Sequence, residues 1–123
     1  PPSKVVILGA GTVGEFAART ALGLGSDVRI FDNSISRLKR LQNNLGQRVF
    51  TSVIQPEILG EELRSADVAV GAMHAEKGRA PMVVSEEMVQ RMKPGSVIID
   101  VSIDQGGCFE TSEVTNHTKP VFK

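Results

Sequence analysis

The chain has no tryptophan and no tyrosine, and its five phenylalanines are the only aromatic side chains besides two histidines. Stacking platforms for nucleic-acid bases are therefore not expected. A single cysteine, Cys108, excludes an internal disulfide framework and suits a reducing compartment. Excess charge is missing as well: 14 basic residues balance 14 acidic ones, for a formal net charge of zero. No global field draws such a chain to nucleic acid or to an anionic membrane. Long hydrophobic runs are absent, and nothing approaches the roughly 20 apolar residues that cross a bilayer. The first apolar run, residues 5–8, is too short for a signal peptide, so a cytoplasmic setting is expected. Asn116-His117-Thr118 has the form of a glycosylation acceptor, which without secretion is a chance match. No Cys/His spacing suggests a metal site. The chain opens on Pro1-Pro2-Ser3 without an initiator Met, and a piece of a longer protein is expected.

What is present is a repeated alternation of short β-branched runs with helical patterns, which signals βαβ units and a parallel sheet. The runs at residues 5–8, 28–31, 48–51, 68–70 and 97–99 are apolar but for Arg29, Arg48 and Thr51 and do not alternate strictly, as expected of strands covered on both faces. Between the first two, residues 12–24 place Val13, Ala17, Ala21 and Leu24 on one stripe, with Gly25 beyond the end. Asn33 or Ser34 can cap a second helix that turns Ile35, Leu38, Leu41 and Leu45 toward the sheet and ends at Gly46. Pro56-Glu57 opens a third helix that runs through Leu63. Ser85-Glu86-Glu87 opens a fourth, with Val89 and Met92 inward and a stop before Pro94-Gly95. Right-handed crossovers then give an α/β fold, a Rossmann-type doubly wound parallel sheet of about five strands in the order 3-2-1-4-5. The segment after Val101 has no clear period and is expected to wrap over the sheet edge or toward a second domain.

A site is expected where the strand order reverses, between the first and fourth strands. The loop Gly9-Ala10-Gly11-Thr12-Val13-Gly14 leaves the first strand and opens the first helix, the context that makes a glycine pattern informative. Gly9 permits the turn, Gly11 admits a pyrophosphate close to the backbone, and Gly14 lets helix and strand pack closely. The free N–H groups at the start of the helix, with those of Thr12 and Val13 among them, favour the diphosphate charge. Asp32 lies 18 positions past Gly14, at the end of the second strand. A carboxylate there accepts from the adenosine ribose hydroxyls and repels a 2′-phosphate, which favours NAD over NADP. Arg37, one turn into the next helix, is read either as an adenosine-side group or as part of a solvated face with Lys39 and Arg40. The nicotinamide end then lies over the fourth and fifth strands, beside Gly71-Ala72-Met73-His74 and Ser102-Ile103-Asp104-Gln105-Gly106-Gly107-Cys108. Ala72, Met73 and His74 are candidate cofactor neighbours. Asp104 is the candidate reacting group, against the plainer reading of a turn-forming aspartate. His74 also reads as a solvated loop residue, and Cys108 as a buried small side chain.

Three stretches carry a family resemblance. They are residues 6–14 (VILGAGTVG), Phe31-Asp32-Asn33, and residues 92–110 (MKPGSVIIDVSIDQGGCFE). The chain resembles the alanine dehydrogenases along essentially its whole length. The glycine loop is shared with many families; the Asp-Gln-Gly-Gly-Cys-Phe-Glu string is shared mainly with the related proton-translocating transhydrogenases. The resemblance implies oxidative deamination of L-alanine to pyruvate and ammonia with reduction of NAD. It also implies a full-length enzyme with a second, substrate-holding domain and a hexameric assembly, of which residues 1–123 would be the single NAD(H)-binding domain. By position it makes Asp32 the ribose-binding acid, Arg37 the basic residue near the adenosine, and Asp104 the active-site aspartate beside nicotinamide and substrate. The family's substrate-binding arginine and lysine and its acid–base histidine lie in the other domain, and His74 is not that histidine. Ile54 departs from the small polar residue expected near the adenine.

Two other functions are weighed against this one. The NAD-binding portion of a transhydrogenase α subunit would pass its hydride to another nucleotide. A regulatory nucleotide-sensing domain would have no catalysis, and the Asp104–Glu110 string argues against it, since a sensor needs no group at the nicotinamide end.

Overall fold

The computed structural model describes residues 2–73, 83–101 and 109, with the backbone of residues 118–120. The chain runs β1 (Lys4–Leu8), α1 (Thr12–Gly23), β2 (Asp27–Asp32), α2 (Ile35–Leu45), β3 (Phe50–Val53), α3 (Pro56–Arg64), β4 (Val68–Gly71), α4 (Glu86–Gln90), β5 (Val97–Asp100) and β6 (Thr118–Pro120). The first five strands are parallel, in the order β3-β2-β1-β4-β5. That is the expected order. A sixth strand extends the sheet beyond the expected five: β6 pairs antiparallel with β5, with Ile99 opposite Thr118. Part of the final segment therefore covers the β5 edge.

The two faces of the sheet carry separate cores. Val5, Ile7, Val28 and Ile30 pack with Ala18 and Ala21 of α1 and with Leu38 and Leu41 of α2. Val6, Leu8 and Phe31 face the other way, toward Leu59 and Leu63 of α3 and toward Val89, Met92 and Phe109. Alternate residues of one strand serve opposite layers, so the central positions of the strands are mostly apolar on both sides.

Three inward assignments from the sequence are corrected. Val13 and Leu24 are not on the buried stripe of α1, being 53% and 80% exposed, and the inward residues are Gly14, Ala18 and Ala21. Gly14 sits so close to Gly9 that it fixes the rotation of the helix, and the preceding residue points about 100° away. Ile35 is 60% exposed at the start of α2, so only Leu38 and Leu41, with Leu45 at the margin, face the sheet. The third strand begins at Phe50 rather than at residue 48. The Gln42 side-chain amide both donates to the Val49 carbonyl and accepts from its N–H, which occupies that backbone before the ladder begins.

The amino edge of the sheet is held by charge. The Asp67 carboxylate accepts from the Lys4 backbone N–H at 2.8 Å and meets the Lys93 ammonium at 2.8 Å. Lys4 and Arg29 both pair with Glu62 of α3, and Arg29 also meets Asp27. The Lys93 ammonium, followed by the Lys4 N–H, holds the Asp67 carboxyl below its ordinary value. A depressed folded-state pKa stabilises above the ordinary carboxylate value, and that stability is lost as pH falls through the folded pKa. Acid unfolding of the Asp67→Asn variant should therefore show a shallower limb below about pH 4. The loss at neutral pH should be no more than about 1 kcal/mol, since the pair is partly exposed. Thermal melts across pH 2.5–7 measure both.

Candidate dinucleotide site

The carboxyl ends of the strands form a row. Leu8 is in register with Phe31 on one side and with Gly71 on the other, and Gly71 is in register with Asp100. Connections from β1 and β4 leave this row toward opposite faces of the sheet, and the gap between them is the crevice expected for a ligand.

The three glycines of the first loop differ in what they do. Gly9 has φ +120°, and a Cβ there would lie 2.2 Å from the Ala72 carbonyl oxygen. A Cβ on Gly14 would lie 2.0 Å from the Gly9 carbonyl oxygen. Both positions exclude a side chain because backbone already fills the space. A Cβ on Gly11 would meet nothing within 4 Å, and its φ of −87° suits any residue. The protein itself gives no reason for glycine at that position. Space is kept open directly in front of a helix N-terminus that no side chain caps. Such a cradle fits a pyrophosphate, which would take the N–H groups that α1 leaves over.

Asp32 is 1% exposed, and both its oxygens are engaged. Oδ2 accepts from the Ala10 N–H at 2.8 Å, and Oδ1 accepts from the Ser34 N–H at 2.8 Å. The carboxylate thus clasps the glycine loop to the turn that opens α2. Ser34 in turn caps α2 by accepting from the Arg37 N–H. Arg37 Nη1 lies 3.5 Å from Asp32 Oδ1, with the side chain about one-third exposed. Arg37 thus turns toward the Asp32 carboxylate as well as toward solvent.

On the other side of the crevice, the Ala72 N–H donates to the Leu8 carbonyl at 2.7 Å, and the Ala72 carbonyl closes over Gly9. Met73 is 4% exposed with its side chain in the α3 and α4 core, so it can offer a ligand its main chain only. Thr12 and Val13 are exposed in the first turn of α1. Ile54 packs against the core. His74, Asp104 and Cys108 lie outside the described residues. The sequence reading missed Asp100, 4% exposed at the end of β5, whose Oδ2 accepts from the Phe109 N–H at 3.4 Å. Its signal was available in principle: a charged residue closing an apolar strand run. A depression of about 680 Å³ between Gln42 and Thr51 lies at the opposite, amino end of the sheet, away from the glycine loop.

The comparisons with known proteins agree with this geometry. The family model described as alanine dehydrogenase/PNT, C-terminal domain, matches residues 1–123. The alanine dehydrogenase of Halomonas elongata is 45% identical over 121 residues, 98% of this chain and 33% of that protein. The Bacillus subtilis alanine dehydrogenase is 43% identical over 121 residues, 98% of this chain and 32% of that protein. Among solved structures, an L-alanine dehydrogenase superposes with a TM-score of 0.86 at 44% identity, covering 94% of this chain and 32% of that one. A transhydrogenase from Sinorhizobium meliloti superposes with a TM-score of 0.78 at 31% identity, covering 92% and 32%. The chain spans about a third of the length of these relatives. With a family model matching every residue, and a glycine loop between β1 and α1, the chain belongs to the alanine dehydrogenase/PNT family as its C-terminal, NAD-binding domain.

Proposed function

We propose that this chain holds NAD(H) for an alanine dehydrogenase, a two-domain parent that oxidises L-alanine to pyruvate and ammonia. The cytoplasm, a homo-oligomeric assembly and the single-domain limits 1–123 belong to the same proposal. The observation that carries it is the open space at Gly11 beside a buried acid at the end of β2. Bound NAD supplies the hydride acceptor. The residues do the rest: Gly11, Thr12 and Val13 present backbone N–H groups to the pyrophosphate, and Asp32 accepts from the ribose hydroxyls. Gly9, Gly14 and Ala72 hold the loop in shape, and Arg37 flanks the adenosine. Ala72, Met73 and His74 border the nicotinamide side, and Asp104 faces the substrate. Ile35, exposed in the first turn of α2, offers an apolar surface near the adenine end.

The higher identity to alanine dehydrogenases favours that parent over a transhydrogenase α subunit. Cofactor preference tests the site. NADH should bind this chain at least ~1.4 kcal/mol more tightly than NADPH, a factor of about ten, because a 2′-phosphate would face the Asp32 carboxylate. Asp32→Ala should narrow the gap by leaving Arg37 free for the phosphate. It should weaken NADH too, since the Ala10 clasp is lost. Calorimetric titration with both nucleotides reads these effects, and equal affinity in the wild type would refute the assignment of Asp32.

A further inference from the structure

We infer that the outer face of α1 is a docking surface for a second copy of this chain, with Phe16 of each copy seated against Gly23 of the other. The inference rests on the proposed homo-oligomeric assembly and names a face for it.

Nothing inside the domain accounts for the apolar character of that face. The buried side of α1 is set by Gly14, Ala18 and Ala21. Opposite them stands Phe16, 72% exposed, with Val13, Thr20 and Leu24 exposed beside it. At 100° per residue, Gly23 falls within about 20° of Phe16 and about 10.5 Å further along the axis. One exposed apolar side chain is ordinary, but a phenylalanine, a valine and a leucine on one side of a helix point to a surface that is covered.

The charges nearest this face are drawn away from it. Arg19 donates through Nε and Nη2 to Glu15, and Nη2 also donates to the Asn44 carbonyl in α2. Glu15 accepts from the Asn44 side chain as well. Both ions are held toward α2, and the surface around Phe16 is left neutral. A second copy offers the same neutral surface, so the two can close without desolvating a charge.

Gly23 marks where the partner approaches. It is exposed, a Cβ there would meet nothing within 4 Å, and its φ is not positive. The end of α1 does not need it either. Gly25, with φ +82°, and Ser26 donate to the carbonyls of Leu22 and Ala21 and so close the helix. Glycine weakens a helix, so its presence here calls for a reason. Phe16 supplies one. In an isologous pair of antiparallel α1 helices, the two-fold axis passes midway between residues 16 and 23. Each ring then enters the space left by the glycine of the other copy. The overlap runs over residues 15–24, so the N-terminus of α1 and the open side of Gly11 stay free for the pyrophosphate.

Sedimentation equilibrium of the 123-residue chain, from about 10 µM to about 1 mM, tests this. One helix pair is smaller than a standard interface, so the wild type should pair with a Kd on the order of 100 µM. Phe16→Glu should weaken pairing at least about tenfold. Gly23→Leu should weaken it as much, by filling the space for the ring, whereas non-specific association would be strengthened by the added apolar surface. Neither position is buried in the core or belongs to the glycine loop. Both variants should therefore melt no lower than wild type at micromolar concentration and bind NADH within about threefold of it. A wild-type chain still monomeric at about 1 mM would overturn the inference, and so would pairing that either variant leaves unchanged or strengthens. In a full-length parent, Gly23→Leu should divide the assembly into smaller particles. An assembly left whole by that change would keep the proposed homo-oligomer and overturn this face as its interface.

Discussion

Gly11→Val should abolish dinucleotide binding while leaving the domain folded, with NADH affinity falling at least about 100-fold, or ~2.7 kcal/mol. The expectation follows from how differently the three loop glycines are used. At Gly11 the new Cβ meets no protein atom within 4 Å, and the φ of −87° requires no glycine. The isopropyl group would therefore project into the space in front of the α1 N-terminus, where a pyrophosphate must approach the backbone closely. Gly9→Ala and Gly14→Ala should behave in the opposite way. Each puts a Cβ 2.2 Å or less from a backbone carbonyl oxygen, and Gly9 adds the strain of a positive φ. Those variants should melt lower by several degrees or more, since neither backbone can yield without moving β1 against α1 or β4. Circular dichroism melts separate the two classes, and NADH titration completes the comparison. A Gly11→Val protein with wild-type affinity would place the dinucleotide elsewhere. An unfolded one would mean that Gly11, like its neighbours, serves packing.

Most of this arrangement is legible in the residues because the parallel sheet imposes it. Strands covered on both faces are largely apolar, and the runs in β1, β2, β4 and β5 say so, with Arg29 of β2 the interior exception that pairs with Glu62. Right-handed crossovers then leave one simple strand order, and with it the place of the crevice. The glycine loop and Asp32 could be paired from their spacing, and the structure joins them through the Ala10 N–H. What the residues hide is set by contacts distant in the chain. The rotation of α1 depends on Gly14 meeting Gly9, a fit of backbone to backbone that hydrophobic periodicity does not register. With Val13 and Leu24 apolar on the outer face and alanines on the inner one, the size of a side chain misleads about its direction. The start of β3 depends on one side chain, Gln42, imitating a neighbouring strand. Arg37 shows the same limit at the site. Its place over Asp32 follows from the Ser34 cap that sets the first turn of α2, not from its own surroundings in the sequence. The β6 pairing is least legible of all, because a three-residue antiparallel strand on a sheet edge leaves no periodic signal.

In a full-length enzyme Asp104→Asn should lower kcat by roughly 100-fold or more, while NADH affinity stays within a few-fold of wild type. The first number is the scale on which a positioned charged or acid–base group acts. The second follows from the layout of the crevice: pyrophosphate and ribose are assigned to the α1 N-terminus and to Asp32, across β1 and β4 from the end of β5. The 123-residue chain should, on the same reasoning, bind NADH and yet produce none from NAD and L-alanine. Hydride transfer needs the α-carbon held about 3–3.5 Å from its acceptor, and effective molarity collapses without that placement. A substrate carboxylate calls for a bidentate arginine. Among the described residues no arginine stands at the carboxyl ends of β4 and β5: Arg37 is paired with Asp32 at the adenosine side, and Arg29 with Asp27 and Glu62 at the amino edge. On the proposed reading the substrate's carboxylate is held outside the described residues, and about two-thirds of the relatives' length lies outside this chain. Steady-state kinetics of the full-length variant and a turnover assay of the 123-residue chain measure the two halves separately. Robust alanine oxidation by this chain alone would show that it carries its own substrate site. A full-length Asp104→Asn enzyme with normal kcat would reduce Asp104 to a turn residue, and the chemistry would then have to be sought among the side chains of the other domain.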